Sequence, residues 1–386
     1  MKDRIVIIGA SELQLPLIEK AKSKGYETHV FAWKAGENGE RVADKFYPIS
    51  ITEKELICDV CKEINPKGIV SIASDLAVVT VNYIADKLGL VGNSEYSTIV
   101  STNKYEMRKA LRLSNVNCPR FIKVKSEQEC DCIGLTYPLI VKPVDRSGSR
   151  GIYKVLNNTQ LKLAVINSLE QSFIKEVIVE EFIIGKEYSV EYISINGKHK
   201  FLALTEKVTT GAPNFIEVGH IQPANINKDI LESIKINVEM SLDALDIKVG
   251  ASHSEVLINE IDEVFIVEIG ARMGGDCIGS DLVEISTGND FVGMVIDVAC
   301  GSDISIKSFN EPRIGIVRYI FDNDDYELLQ VLKKTNKEHI WRVSELTKIE
   351  NKKIRDSSQR QGFFILNVPT NDRNISIFNN IDRFRD

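Results

Sequence analysis

The strongest constraint on the fold is a regular alternation of short apolar runs and helix-period segments at the start of the chain. Ile5–Ile8 is predicted as a buried strand, Leu13–Lys24 as a helix and Glu27–Ala32 as a second strand. The pattern then continues as helix, strand and helix, at residues 53–64, 68–72 and 77–88. Such alternation is typical of a parallel sheet with helices on both faces, so residues 1–102 are expected to form a small Rossmann-like domain.

The first turn of this domain lacks the signature of a dinucleotide-binding protein. Its sequence, Gly9-Ala10-Ser11-Glu12-Leu13-Gln14, has the first glycine of a GxGxxG motif but neither of the other two. Those glycines let the backbone approach a pyrophosphate and let the helix pack closely on the sheet. A dehydrogenase is therefore disfavoured.

Length and composition indicate a soluble protein with more than one domain. The chain has 386 residues, which is too long for one ordinary core. Apolar residues make up 43% and charged residues 27%, with no Pro/Gly-rich or acidic tract that would signal disorder. The apolar run Ile5–Ile8 is too short for a signal peptide or a membrane span, so a cytoplasmic location without membrane contact is expected. The net charge of −7 is spread along the chain, which argues against nucleic acid as a partner.

The cysteines indicate a reducing compartment. The seven cysteines have no regular framework of the kind found in secreted, disulfide-bonded domains. One pair forms a CxxC motif, Cys58-Asp59-Val60-Cys61, inside a predicted helix, with neither a second pair nor a histidine nearby. A packing role for this pair is favoured over zinc binding or redox chemistry.

A lysine followed by a loop of small residues is the first feature that indicates a ligand. The strand-like run Leu139–Val141 leads into Lys142, and the loop Ser147-Gly148-Ser149-Arg150-Gly151 follows. Backbone N–H groups of such a loop can approach phosphate oxygens because bulky side chains are absent, while the lysine adds a point charge. The stretch is not a Walker sequence, because its glycines do not lead into Gly-Lys-Ser/Thr. It therefore suits a nucleoside triphosphate, and the alternative is a flexible hairpin tip.

A strand that ends in acidic residues and then turns is the second feature. Glu180-Glu181-Phe182 closes an apolar run, and Glu187 follows the turn. A hinge of this kind can offer adenine backbone hydrogen bonds beside Phe182, and Glu187 can accept hydrogen bonds from ribose hydroxyls. Surface glutamates on an edge strand explain the pattern equally well.

A pair of acids in a predicted hairpin is the third feature. Glu255 and Glu268 lie in two strands joined by the short segment 259–263. Carboxylates on neighbouring strands can share one face and hold magnesium, which prefers oxygen ligands and bridges phosphates. Arg272, four residues after Glu268, can grip a carboxylate or an acyl phosphate through two hydrogen bonds. The alternative is a structural ion pair between the acids and the arginine.

In their order along the chain, these features resemble the ATP-grasp superfamily, and the resemblance covers nearly the whole chain. It implies that lysines contact the ATP phosphates, that the small-residue loop closes over them and that the hinge reads adenine. The ATP-binding residues implied in this way are Lys104, Lys142, Ser147, Gly148, Ser149, Gly151, Glu180, Glu181, Phe182 and Glu187. It also implies that Glu255 and Glu268 hold Mg²⁺ or Mn²⁺. Gly270 stands where many ATP-grasp enzymes have a metal-binding asparagine, so a third protein ligand is in doubt.

Within the superfamily, the segment 204–223 is most similar to the L-amino acid ligases, which form dipeptides. The implied reaction activates a carboxylate as an acyl phosphate, couples it to an amine and releases ADP and phosphate. Arg272, His220 and Lys207 are the catalytic candidates implied. His220 would orient an amino acid or touch the transferred phosphate, and Lys207 is either a second phosphate contact or a solvated strand residue. His253 precedes Glu255 by two positions, and a packing role is favoured for it over a place in the metal site.

The resemblance also sets the expected architecture and partners. The fold class is α/β, with α+β character in the ATP-grasp part. A Rossmann-like pre-ATP-grasp domain is expected at 1–102, a two-lobed ATP-grasp domain at 103–302 with a lid at about 116–182, and a small C-terminal α+β lobe at 303–386. The partners implied are a small carboxylate and a small amine, neither of which the sequence identifies, and possible homodimers form through the first domain.

Two alternative functions remain open at this point. A purine-pathway or biotin-carboxylase-like ATP-grasp ligase would share the nucleotide-binding residues and differ in the acceptor pocket. A nucleotide-binding module without catalysis would be expected to lack Glu268, Arg272 or Lys142, and all three are present. The carboxylate–amine ligase is therefore the favoured interpretation.

Overall fold

The computed structural model describes residues 2–148, 150–210, 216–306, 313–346, 349–351, 354, 359–370, 375–378 and 381–384. The chain is a mixture of helices and strands arranged in three sheets. Within the described ranges, no helix combines the length and the hydropathy needed to cross a lipid bilayer.

The first sheet confirms the predicted α/β opening. Four parallel strands have the spatial order β3-β2-β1-β4. Their bounds are Arg4–Ile8 for β1, Glu27–Phe31 for β2, Lys45–Tyr47 for β3 and Gly68–Val70 for β4. The helices are Leu15–Ser23 (α1), Asn38–Val42 (α2), Lys54–Ile64 (α3) and Asp75–Leu88 (α4). The apolar run of β1 has no exposed surface from Ile5 to Ile8, because helices cover both faces of the sheet.

Two further helices connect this sheet to the rest of the molecule. They are Glu95–Thr102 (α5) and Lys104–Leu113 (α6), separated only by Asn103. The side chain of Asn103 accepts hydrogen bonds from the backbone N–H groups of Tyr105 and Glu106, which is a helix N-cap. The cap therefore fixes the start of α6 and with it the position of Lys104.

The second sheet lies within residues 121–181 and is antiparallel, in the order β5-β8-β6-β7. The strands are Phe121–Val124 (β5), Leu139–Pro143 (β6), Tyr153–Val155 (β7) and Val177–Glu181 (β8), and the helix Asn158–Gln171 (α7) packs on the sheet. In the β6–β8 ladder Glu180 lies opposite Ile140. Because side chains alternate between faces, Glu180 shares a face with Lys142.

The third sheet has eight antiparallel strands, in the order β13-β12-β9-β10-β11-β14-β16-β15. The strands are Lys186–Ile195 (β9), Lys198–Thr209 (β10), Glu217–Gln222 (β11), Gly250–Ile258 (β12), Val264–Gly270 (β13), Arg313–Ile320 (β14), Ile340–Val343 (β15) and Gly362–Pro369 (β16). The helices are Lys228–Ala244 (α8), Val283–Thr287 (α9), Phe291–Ala299 (α10) and Asn323–Thr335 (α11). The predicted hairpin is confirmed as β12–β13, with Glu255 directly opposite Glu268.

A shared core joins the first and third sheets. Ile5 and Ile7 of β1, Ile193 of β9 and several residues of α10, including Val295, belong to one buried cluster. This packing holds the start of α4 close to the end of β13. The same packing places residues near the first sheet beside residues that were predicted to bind ATP and metal.

Candidate active site

Lys104, the first residue of α6, contacts a carboxylate predicted to hold metal. Its Nζ lies 2.8 Å from Glu268 Oε1 and donates to the carbonyl oxygen of Arg146 at 2.7 Å. Only 4% of Lys104 is exposed. The structure thus joins the start of α6, the end of β13 and the loop after β6 through one ammonium group.

Lys142 lies beside Glu180 and a buried arginine. Glu180 accepts from Lys142 Nζ at 2.6 Å and from Arg108 Nε at 2.6 Å, and all three side chains are buried. Burial lowers the pKa of Lys142 and outweighs the attraction of Glu180. Burial raises the pKa of Glu180, but the charges of Arg108 and Lys142 outweigh burial, so that this pKa lies below its ordinary value.

Arg108 did not emerge as a candidate from the sequence. It lies four residues after Lys104, so both side chains are on one face of α6. Arg108 also neighbours Met107 and Ala110, which are buried. A charged residue on the buried face of an amphipathic helix is the signal that could have identified it.

The small-residue loop borders a cavity of about 230 Å³ beside Lys104 and Glu268. The cavity is lined by Asp75, Leu76, Val79, Ser101, Thr102, Lys104, Met107, Asp145, Arg146, Ser147, Arg150, Phe173, Ile174 and Glu268. Gly148 and Gly151 have φ angles of +68° and +72°, a left-handed conformation that glycine adopts without a steric penalty. Ser149 lies outside the described residues.

The hinge candidates divide into two groups. Phe182 and Glu187 line a cleft of about 770 Å³, whose wall also contains Lys207. Glu181 is engaged away from this cleft, because its Oε1 accepts from Arg120 Nη1 at 3.0 Å and from the backbone N–H of Thr136 at 2.9 Å. Glu180 is likewise occupied by its buried ion pairs. The predicted hinge therefore meets the cleft through Phe182 and Glu187.

Lys207 is not a solvated strand residue. Its Nζ lies 2.6 Å from Glu255 Oε1 and also pairs with Glu187. Burial lowers the pKa of Lys207, but Glu255 and Glu187 outweigh it and raise this pKa well above its ordinary value. Burial and the charge of Glu255 raise the pKa of Glu187 despite its contact with Lys207.

His253 is held by a glutamate that the sequence did not indicate. Its Nδ1 lies 2.5 Å from Glu191 Oε1, and its Nε2 lies 3.9 Å from Glu255 Oε1. Burial lowers the pKa of His253, but Glu191 outweighs burial and the result is a pKa of about 9. The packing role of His253 stays a prediction.

Glu255 and Glu268 offer oxygen atoms suited to a hard divalent cation. They face each other across β12 and β13, and each pairs with a lysine. Burial raises the pKa of Glu255, but Lys207 and His253 hold it well below its ordinary value. Gly270 offers no side-chain ligand. The residues present thus fit Mg²⁺ or Mn²⁺ if phosphate oxygens or water complete the coordination shell.

Arg272 is paired with a residue of the first domain. Its Nε lies 2.8 Å from Asp75 Oδ1 and its Nη2 lies 3.2 Å from Asp75 Oδ2. Burial lowers the pKa of Arg272, but Asp75 outweighs burial and raises it. Asp75, the first residue of α4, was not predicted as a functional residue.

His220 lies in a cluster that also contains a residue from the C-terminal part of the chain. Its Nε2 lies 3.5 Å from Glu217 Oε1. Arg360 Nη2 lies 2.9 Å from Glu217 Oε2, Arg360 Nη1 lies 2.9 Å from Asp276 Oδ2, and the guanidinium stacks 3.6 Å above the centre of the Tyr319 ring. Burial lowers the pKa of His220, so the ring is neutral at pH 7. One potential metal-ligand atom from each of Glu217, His220 and Asp276 lies within 4.8 Å of the other two.

Asp276 and Arg360 are further residues that the sequence did not single out. Asp276 has a φ angle of +53°, which is unfavourable for a residue with a side chain. Its place four residues after Arg272, beyond two glycines, was the available signal. For Arg360 no local pattern was available, because its partners are far away in the sequence.

Comparisons with known proteins show which domain family and which folds the chain resembles. Residues 135–281 match the model of the ATP-grasp domain family. A formate-dependent phosphoribosylglycinamide formyltransferase from Prochlorococcus marinus is 28% identical over 228 residues, which are 57% of this chain and 55% of that protein. A D-alanine–D-alanine ligase from Azobacteroides pseudotrichonymphae is 28% identical over 194 residues, which are 46% of this chain and 58% of that protein. The matched regions thus span little more than half the length of these curated relatives.

Solved structures resemble nearly the whole chain. The L-amino acid ligase from Bacillus licheniformis has a TM-score of 0.83 at 22% identity, covering 99% of this chain and 97% of that one. The phosphoribosylglycinamide synthetase from Anaerococcus prevotii has a TM-score of 0.76 at 24% identity, covering 98% of both chains. Such identities establish a common fold. Residues 135–281 thus match the ATP-grasp domain family, and the chain as a whole shares the fold of these solved structures.

Proposed function

We propose that the chain is an ATP-dependent ligase that phosphorylates a carboxylate and couples the acyl group to an amine. The observation that carries the proposal is the convergence of two lysines with the acids of the β12–β13 hairpin. Lys104 contacts Glu268, and the charges of Glu268 and Lys104 both act on Lys142. Cations and carboxylates grouped in this way suit a metal-bound polyphosphate.

The two cavities suggest how ATP would lie. The cleft of about 770 Å³ beside Phe182 suits the adenine and ribose, with Glu187 able to accept hydrogen bonds from ribose hydroxyls. The cavity of about 230 Å³ beside Lys104 and Glu268 suits the phosphate end, which the loop at 147–151 would cover. Closure of that loop would exclude water, which otherwise hydrolyses an acyl phosphate.

Glu255 and Glu268 are the residues that would hold Mg²⁺ or Mn²⁺. When bound, such a cation neutralises negative charge on the phosphate oxygens. Lys104, which lines this cavity, would contact the phosphates, and Lys142 would add its charge from its place beside Glu180. Lys207 would hold Glu187 and Glu255 in position at the neighbouring cleft, because it pairs with both carboxylates.

The reaction has two substitutions. A carboxylate oxygen of the substrate attacks the γ-phosphorus of ATP, the bond to the bridging oxygen breaks, and ADP leaves. The amine then attacks the acyl carbon, inorganic phosphate leaves, and the nitrogen loses a proton. Arg272 would hold the carboxylate in the first step and stabilise the oxyanion in the second, since a guanidinium binds paired oxygens through two hydrogen bonds.

Amino acids are the substrates that we favour. The cluster of Glu217, Asp276 and Arg360 has two carboxylates and one guanidinium, so its formal charge is −1 while His220 is neutral. A negative cluster attracts an ammonium group and repels a phosphate ester. His220 would then orient the ammonium group through its unprotonated nitrogen.

The competing candidate is a ligase acting on a phosphoribosyl compound, because two of the similar proteins carry phosphoribosylglycinamide in their names. In this chain Arg360 is held by two carboxylates, which weakens it as a phosphate-binding group. The charge of the cluster therefore favours the amino-acid substrate.

The substrates that support release of ADP and phosphate distinguish the two candidates. The purified chain would be supplied with Mg²⁺ and ATP, together with either pairs of amino acids or phosphoribosylglycinamide plus formate. The products would be identified by mass spectrometry. We expect ADP release and a dipeptide with amino-acid pairs. Turnover with the phosphoribosyl compound but not with amino acids would contradict the proposed substrate class and leave the proposed ligase chemistry standing.

A further inference from the structure

We propose that Asp75, in the first domain, is a positioning residue that fixes the guanidinium of Arg272 for the reaction. The inference rests on the proposed function, in which Arg272 binds the carboxylate and the oxyanion. Asp75 begins α4 and lies 197 positions before Arg272. The first domain would thus take part in catalysis through a single ion pair.

The geometry leaves the arginine little freedom. Asp75 binds Nε and Nη2 of Arg272 through separate oxygens, at 2.8 and 3.2 Å, and Nη1 donates to the carbonyl oxygen of Met273 at 3.3 Å. A planar guanidinium that is held at three nitrogens cannot rotate without breaking several hydrogen bonds. The hydrogens left over on Nη1 and Nη2 are the ones available to a substrate.

Gly270 supplies the space for this pair. A Cβ atom built at position 270 would lie 2.9 Å from Asp75 Oδ1 and 3.2 Å from Arg272 Nε. Contacts this short would displace the carboxylate or the guanidinium. The absence of a side chain at the end of β13 is therefore a requirement of the Asp75–Arg272 pair.

Asp75 faces the cavity assigned to the phosphate end. Asp75 lines the cavity that also contains Lys104 and Glu268, the two residues assigned to the phosphate end. Both members are largely shielded from water, since their side chains are 18% and 15% exposed. A shielded, bidentate ion pair orients its members more strictly than a surface pair does.

A positioning role has a specific kinetic signature. Asp75→Asn removes the anchor and also removes a negative charge next to Arg272. Binding of a substrate carboxylate should then stay the same or strengthen, while the geometry needed in the transition state is lost. We expect kcat to fall roughly 10- to 100-fold, with no increase in KM for the carboxylate substrate.

This kinetic signature is tested with two variants, Asp75→Asn and Asp75→Glu. The control is Asp86→Asn. Asp86 is on the same helix, is exposed and pairs only with the adjacent Lys87 among the contacts described. Steady-state ADP release, the affinity for ATP and the melting temperature would be measured for each variant. We expect Asp75→Glu to recover part of kcat and Asp86→Asn to match the wild type. An equal loss of ATP affinity and kcat, or a wild-type kcat for Asp75→Asn, would overturn the proposal.

Two more variants show whether Asp75 acts through Arg272. Gly270→Asn should reproduce the kinetic signature of Asp75→Asn, because its side chain would enter the space that the pair needs. In an Arg272→Lys background, Asp75→Asn should change kcat less than about twofold, since coupled residues are not additive. Full additivity would refute an action through Arg272.

A separate measurement keeps this inference distinct from the proposed function. Hydrogen exchange of the Arg272 Nε–H group, followed by NMR, needs no substrate. We expect exchange at least about tenfold faster in Asp75→Asn than in the wild type, and equal rates would overturn the positioning role. Absence of ADP release by the wild type with every carboxylate and amine would instead refute the proposed function, whatever the exchange rates are.

Discussion

Lys104 Nζ lies 2.8 Å from Glu268 Oε1, although the two residues are 164 positions apart. Lys104 begins helix α6, and Glu268 lies near the end of strand β13 in the third sheet. Their contact neutralises a carboxylate that is proposed to hold metal. The same ammonium group is proposed to contact phosphate, so this pair lies where the proposed metal site adjoins the proposed phosphate site.

Loss of Lys142 or Glu268 should abolish ATP turnover without unfolding the chain. In Lys142→Ala, Glu180 keeps its buried partner Arg108, so the fold should persist. Glu268→Gln keeps the size of the side chain and removes its charge. ADP release and far-ultraviolet circular dichroism would be measured, with the exposed Lys62→Ala as the control. Near-native ADP release by either variant would show that the phosphate or metal region is misplaced.

Arg108→Met should destabilise the chain by about 3–5 kcal/mol, the usual cost of breaking a buried ion pair. Arg108 is fully buried, binds Glu180 and donates to the carbonyl oxygen of Val267. Urea unfolding measures the change. Arg112→Met, on the exposed face of the same helix, is the matched control and should alter stability by less than about 0.5 kcal/mol. Equal effects of both substitutions would contradict a structural role for the Arg108–Glu180 pair.

His220 should make folding sensitive to mild acid. Burial places its pKa in the folded chain below the ordinary value, so the unfolded chain binds the proton more readily. Stability is therefore lost as the pH falls through the ordinary histidine pKa, about 6.5, towards the lower folded value. The free energy of unfolding of the wild type minus that of His220→Gln should be larger at pH 7.5 than at pH 5.5. An equal or larger difference at pH 5.5 would mean that the folded chain holds a protonated ring.

The CxxC cysteines should react slowly with alkylating agents. Cys58 and Cys61 are both buried, and burial raises the pKa of Cys61 to about 12. The nucleophilic thiolate is then scarce at pH 8. Iodoacetamide labelling followed by mass spectrometry should modify this pair much faster in denaturant than in the native chain. Rapid labelling of the pair in the native chain, or binding of stoichiometric zinc, would contradict a packing role.

Much of the local structure follows from the sequence. Three strands and three helices of the first sheet have the predicted order, with ends shifted by a few residues, because apolar period and length identify buried strands and amphipathic helices. The short elements α2 and β3 were not predicted. The hairpin of Glu255 and Glu268 was also predictable, since both strands and their short connection are contiguous.

The partners of the charged residues were decided by tertiary structure alone. Spacing along the chain identified Lys142 and Arg272 as candidates, but Arg108 is 72 positions from Glu180 and Asp75 is 197 positions from Arg272. Local patterns report which face of a helix or strand a residue occupies, and they carry no information on which distant surface packs there. The role of Gly270 was hidden for the same reason, because the space it leaves open is filled by Asp75 from the distant helix α4 as well as by the nearby Arg272.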